Sequence, residues 1–122
     1  MVATSISQSK ELLRLELPAE TADCNWNTTF GEWALCVGKN NLPHAVPAWS
    51  LAALTNLFPF PKAVDEPIFK LTKGCVSFED MTVSWPNKWI ARFWGCKGIG
   101  KTQIDAVVNL IVTLYDNGIK LW

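Results

Sequence analysis

From Ile68 to Trp94 the chain repeats with a period of two. Phe69 and Leu71 alternate with Lys70 and Thr72, and Val76 and Phe78 alternate with Cys75, Ser77 and Glu79. Met81, Val83 and Trp85 alternate with Thr82 and Ser84; Trp89, Ala91 and Phe93 then oppose Ile90, Arg92 and Trp94. Successive side chains of a strand point to opposite faces, so this alternation predicts half-buried strands. Gly74 reads as a turn or bulge and Pro86-Asn87 as a turn. Short strands with short connections form an antiparallel meander, since a parallel pair needs a crossover of about a dozen residues or more.

Helical patterns frame this region. Ser5 and Gln8 have capping-box spacing, and Ile6, Leu12, Leu13, Leu15 and Leu17 form a broad apolar stripe that Pro18 stops. Ala19–Thr29 is polar and reads as turn. In Phe30–Val37 the residues Trp33, Leu35 and Val37 alternate as the inward face of a strand, which Gly38-Lys39-Asn40-Asn41 ends. PAWSLAALTNLF predicts a second helix capped by Ser50, with Trp49, Leu54, Leu57 and Phe58 inward and Pro59 and Pro61 at its end. Ile104, Val107, Val108, Ile111, Leu114 and Tyr115 share one face of a C-terminal helix. Thr102 and Asp105 would cap that helix, and Asn117-Gly118 would stop it. The reading is α+β: one domain, residues 1–122, with three helices on a mainly antiparallel sheet.

GCKGIGKT, residues 95–102, fits the P-loop spacing through Gly95, Gly100, Lys101 and Thr102. In that alternative, backbone amides wrap phosphates, Lys101 reaches the terminal ones and Thr102 holds magnesium. Four features oppose it. Only 20 residues follow Thr102, short of the roughly 30 of a βαβ unit. The preceding KWIARFW carries Arg92, where a central parallel strand is almost wholly apolar. The nearest acidic candidate for the metal, Asp80, follows an alternating strand. The upstream pattern is a meander. A strand-to-helix turn made by Gly95, Gly98 and Gly100, with a solvated Lys101 and a capping Thr102, accounts for every residue.

The formal net charge of the 122 residues is zero, from 11 basic and 11 acidic side chains. This argues against nucleic acid or an anionic membrane as partner. The four cysteines, Cys24, Cys36, Cys75 and Cys96, form no Cys-x-x-Cys pair, and His44 is the one histidine. No structural zinc site is therefore expected, and no cofactor. Cys36 and Cys75 read as core residues. Cys96, near Lys97 and Lys101 at an expected helix start, is a weak nucleophile candidate. The pairs Asp65-Glu66 and Glu79-Asp80 read as solvated turn residues. The N-terminal residues lack a signal-peptide pattern and no apolar run reaches membrane-spanning length, which together give a cytoplasmic expectation; the sequon Asn27-Thr28-Thr29 then carries no meaning.

Hydrophobic residues make up 49% of the chain, and seven tryptophans are a heavy load for a small interior. They are read either as core and half-buried residues or as lining for a groove or contact.

ISQSKELLRLELPAETADCNW, VPAWSLAALTNLFP and IDAVVNLIVTLYDNGIKLW, in that order, resemble a group of small proteins of unknown function from Bacteroidales gut bacteria and their phages or prophages. The resemblance covers most of the chain outside roughly residues 27–44 and 60–100. It implies the same succession of helix, helix, strand region and terminal helix, and it carries no catalytic residues; Gly-Lys-Thr lies outside its pattern. The function expected is a non-enzymatic phage or mobile-element accessory protein. It would contact an unknown protein, or itself, through Trp85, Trp89 and Trp94. The alternatives are nucleotide binding at residues 95–102 and a small-ligand module with a Trp-lined pocket.

Overall fold

The computed structural model describes the backbone at residues 2–29, 31–38, 44–59, 63, 66–78 and 81–122, and the side chains there except at 29, 74–78 and 81–87. The fold is α+β, with three α-helices and two three-stranded antiparallel sheets among the described residues. The antiparallel strands are thus divided between two sheets. The chain falls into two compact units, Met1–Leu57 with Trp122, and Phe58–Leu121.

In the first unit, helix α1 (Ile6–Arg14) begins with the full capping box between Ser5 and Gln8. It buries Ser9 and Leu12, and Leu15 and Leu17 beyond its end are buried too. The helix stops well before Pro18. Glu16 takes a left-handed φ of 68°, while Glu16 N–H donates to the Leu13 carbonyl and Leu17 N–H to that of Leu12. This is a Schellman ending with glutamate where glycine is usual.

The sheet of this unit has the order β2-β1-β3, from β1 (Cys24–Thr29), β2 (Glu32–Val37) and β3 (Val46–Ala48). Its central strand is the polar CNWNTT, a segment whose composition reads as turn. Asn25 is buried and its side-chain amide donates to the Gly38 carbonyl at 2.8 Å. On β2 the expected inward face is mostly exposed, Trp33 at 46% and Val37 at 77% with Leu35 half-buried, and the opposite face is not buried either, since Glu32 and Ala34 are exposed. An edge strand with one hydrogen-bonded neighbour needs no buried face. Helix α2 (Leu51–Thr55) is capped by Ser50, and Val46, Pro47 and Ala48, expected in part as helix, pair with β1 instead.

The second unit is the expected meander, β4-β5-β6, formed by β4 (Lys70–Phe78), β5 (Met81–Phe93) and β6 (Cys96–Gly100). Pro86-Asn87 is not a turn: β5 runs through it. Lys73 pairs with Trp89 and Gly74 with Trp85, so Pro86, Asn87 and Lys88 bulge out of the ladder. A proline in a central strand is tolerated at such a bulge because its missing N–H lies where pairing is already interrupted. Helix α3 (Gln103–Asp116) packs on β5 and β6. It buries Ile104, Val107, Val108, Ile111 and Leu114 as expected, and also Ala106 and Leu110; Tyr115 is half-buried. Phe58 stacks on Phe69 at 4.3 Å and meets Phe93 edge-on at 5.2 Å.

Candidate functional site

The middle of GCKGIGKT, Cys96–Gly100, is strand β6. Trp94 and Gly95 connect β5 to β6, with φ of 53° and 74°. Two successive positive φ values suit a two-residue hairpin whose twist matches its strands. Residues 96–100 then pair antiparallel with β5, from Cys96 opposite Phe93 to Gly100 opposite Trp89. A phosphate cradle needs a compact loop of converging amides; here an extended, ladder-forming segment stands in its place. Gly98 and Gly100 serve close packing and not a turn. A Cβ on Gly98 would overlap the Leu110 amide and the Ala106 carbonyl of α3, and one on Gly100 would lie 2.7 Å from the Asp105 carbonyl carbon. Lys101 is exposed, and Thr102 caps α3 by accepting the Asp105 amide hydrogen at 3.1 Å. Cys96 opens β6 and does not stand at a helix start.

The tryptophans divide by environment. Trp49 is fully buried, and Trp26, Trp89 and Trp122 are half-buried. Trp33 and Trp94 are exposed, Trp94 at 58%. The Trp85 side chain lies outside the described residues. Trp89 shares a strand face with Ala91, opposite Gly100 and Gly98 beneath α3, and Lys73 Nζ sits 5.6 Å from its ring centroid. Trp94 is five positions further, about 15 Å along an extended strand. Trp89 and Trp94 therefore do not form one patch.

At the Trp94 hairpin the second unit carries a cleft of about 520 Å³. Glu66, Ile68, Lys70, Arg92, Trp94 and Lys97 are among its lining residues. The register explains the charge: Lys70 lies directly opposite Arg92, and Arg92 directly opposite Lys97. One row across three strands is thus wholly cationic, on the face turned away from Gly98 and α3. Ile68, 52% exposed, adds apolar surface beside Trp94. Lys70 and Arg92 were visible in the sequence as the polar members of alternating runs, whereas Lys97 fell in the stretch read as a turn. Their alignment depends on the register of both hairpins, which the pattern alone left open.

The first unit carries a polar cluster instead. Thr4 is fully buried; its N–H donates to the Trp49 carbonyl at 2.9 Å and its hydroxyl oxygen accepts the Trp49 amide hydrogen at 3.0 Å. The Thr4 and Ser9 hydroxyls pair at 2.8 Å, and the Trp26 indole donates to the Thr4 carbonyl. The Trp49 indole donates to the Thr21 hydroxyl at 2.9 Å. Asp23 accepts from both the amide and the hydroxyl of Ser50. Burial alone would raise the Asp23 carboxyl; the hydrogen bonds from Ser50 and Cys24 outweigh it and hold the group below its ordinary value. The Cys24 thiol is pushed up, first by burial and then by the Asp23 charge. Cys24 is the buried cysteine, while Cys36 is half-buried on β2; the Cys75 side chain lies outside the described residues. His44 Nε2 lies 2.9 Å from Asn27 Oδ1. Glu66 lines the cleft, whereas Asp65, Glu79 and Asp80 lie outside the described residues.

Among the described residues no group of three or more His, Cys, Asp or Glu side chains could hold a metal ion, and no helix is long and apolar enough to cross a membrane. Compared with known proteins, the chain matches no family model, no curated protein and no solved structure.

Proposed function

We propose that the protein is a non-enzymatic accessory protein that acts by protein contact, in keeping with the phage or mobile-element setting its sequence resemblance implies. The contact surface is the β5–β6 hairpin tip with Trp94 at its centre. One observation carries this reading: a large, exposed aromatic side chain sits at a left-handed φ of 53°. That conformation costs a non-glycine residue about 1–2 kcal/mol, and asparagine or glycine would satisfy the turn more cheaply. Retaining tryptophan there fits a role for the ring itself, and tryptophan is the side chain most enriched among contact hot spots. Of the other two expected contact residues, Trp89 is half-buried and turned to the helix face, so it supports the sheet beside the contact.

A pull-down from the host with wild-type protein and a Trp94→Asn variant tests the reading, alongside light scattering of both. A partner, or a dimer, retained by wild type and lost by the variant is the expected result. Equal behaviour of the two overturns it. The volume of the cleft favours a second reading, a small-ligand module, although Trp94 is the single tryptophan among its described lining residues.

A further inference from the structure

The sheet of the first unit has two edges, and only one of them is defended. On one side it ends with β3, three residues long, whose central Pro47 lies opposite Asn25. On the other it ends with β2, six residues, EWALCV, in unbroken register with β1. Edge strands are ordinarily blunted by lysine, proline or a bulge, and β2 has none of these.

The parity of the ladder shows which groups β2 leaves open. A hairpin with two loop residues closes on a hydrogen-bonded pair, here Thr29 and Glu32. Such pairs recur at every second residue, and the Gly38 amide, donating to the Asp23 carbonyl at 2.8 Å, continues the same set. Glu32, Ala34 and Cys36 therefore turn their N–H and C=O groups to β1. Trp33, Leu35 and Val37 turn theirs outward, and among the described residues β2 pairs with β1 alone. By the same count Cys24 and Trp26 bond to β3, so the Pro47 nitrogen, which carries no hydrogen, faces the outer side of that edge. The side chains of Trp33, Leu35 and Val37 share the face of the buried Cys24 and Ala48, yet Trp33 and Val37 stay exposed. The apolar face of the sheet thus runs past its cover at β2.

We infer that β2 pairs antiparallel with β2 of a second copy, about a two-fold axis through Leu35. Three outward residues spaced by two are symmetric about the middle one. Trp33 then meets the second copy's Val37, Leu35 meets its own counterpart, and each pair exchanges two hydrogen bonds, about six in all. The Trp33–Val37 contacts carry the apolar face across the axis. Glu32 is the one charged residue of β2, and the two Glu32 side chains lie at opposite ends of the ladder, about 20 Å apart. A two-fold contact closes on itself, and Pro47 blocks the far edges, so assembly ends at one six-stranded sheet. The contact falls short of the roughly 1,200 Å² of a standard interface, which makes the dimer concentration-dependent. This edge belongs to the first unit and is independent of the Trp94 reading.

The test is sedimentation velocity and amide exchange on the full chain, from about 10 to 500 µM. Mass should rise toward a dimer with concentration. The Trp33, Leu35 and Val37 amides should gain protection as it does, while those of Ala34 and Cys36 are protected throughout. Two variants at these exposed positions fix the register, each checked for an unchanged thermal transition. Trp33→Lys/Val37→Lys sets like charges opposite one another across the axis; Trp33→Lys/Val37→Glu sets opposite charges there with the same apolar loss. The first should dimerise about tenfold or more weakly than the second. A monomer at every concentration leaves the edge to another protein's strand and overturns the inference. Equal dimerisation by the two variants, or growth beyond a dimer, also overturns it. So does a dimer that Trp94→Asn abolishes, which places self-contact at the hairpin tip instead. A dimer kept by Trp94→Asn and lost by Trp33→Lys/Val37→Lys supports the β2 edge, and the Trp94 contact is then judged by the pull-down alone.

Discussion

The two units reach a defined core by opposite means. Residues up to Leu57 are organised around hydrogen bonds whose donors and acceptors are nearly all specified: Thr4 with Trp49, Ser9 and Trp26; Trp49 with Thr21; Asp23 with Ser50. The Phe58–Leu121 unit is organised by approach. Its helix lies so close to β6 that Gly98 and Gly100 have no room for a side chain, and Asn109 adds a hydrogen bond to the Ile99 carbonyl at 2.7 Å. A polar network specifies one arrangement because any other leaves buried groups unmatched. A glycine contact specifies one arrangement because any larger residue collides.

The contrast predicts different failures. Gly98→Val should have the largest effect. Its Cβ would meet the α3 backbone 2.7 Å from the Leu110 Cα, and backbone cannot rotate aside as a side chain can. Overpacking of this kind costs about 3 kcal/mol, read as a lower urea midpoint. Gly31→Ala is its control. The space around Gly31 is open, but its φ is 83°, so the expected loss is backbone strain alone, about 1 kcal/mol. Equal losses at the two sites would refute the close-packing account of GCKGIGKT.

Thr4→Val comes next. The substitution keeps shape and removes the hydroxyl that accepts the Trp49 amide hydrogen and pairs with Ser9. A buried polar group left unmatched costs about 1–3 kcal/mol. Amide exchange should accelerate at Trp49 and Ser50 before it does in α3. A loss below a few tenths of a kcal/mol would show that the network is ornamental and that the first unit, too, rests on apolar packing.

Smaller effects are expected at the two helix ends, which share one motif. Gly118 has φ 76°, with Gly118 N–H donating to the Tyr115 carbonyl and Ile119 N–H to that of Leu114. Glu16 occupies the same position after α1. Glu16→Gly should stabilise the protein, and Gly118→Ala destabilise it, each by about 1 kcal/mol in thermal or urea unfolding. The pair also shows where local sequence carries structure. Asn117-Gly118 is readable as a stop because glycine is the residue that position favours; Leu15-Glu16 is not, because tertiary burial of Leu12 and Leu17 holds glutamate in a conformation it does not prefer. The same division runs through the chain. The meander, the Gly74 irregularity, the Ser5 and Ser50 caps and the α3 face follow from periodicity and capping chemistry. The central strand β1 does not, since CNWNTT is ordered by pairing on both sides. Nor does the cation row, whose members only meet through the registers of two hairpins. Trp94 was legible as a candidate through residue type alone, while its exposure and its left-handed backbone belong to the turn.

The smallest and most specific effect should be electrostatic, and confined to the polar unit. Hydrogen bonds from Ser50 and Cys24 lower the Asp23 carboxyl below its ordinary value near 3.8. A carboxyl with a lower value folded than unfolded adds stability that is fully present above the unfolded value and is lost as pH falls through the folded one. The wild-type protein should therefore lose more stability below pH 3.8 than Asp23→Asn, whose side chain does not titrate. At neutral pH the variant should be the less stable of the two, since an amide accepts more weakly than a carboxylate from the Ser50 hydroxyl and amide. The Trp49 indole resonance reports on the polar cluster, and the α3 amides report on the glycine-packed unit. Acid should perturb the first before the second in wild type, and the order should weaken in the variant. If both probes respond together at every pH in both proteins, the Asp23–Ser50 pair is not a local fastener, and the division between a hydrogen-bonded and a close-packed core loses its electrostatic half.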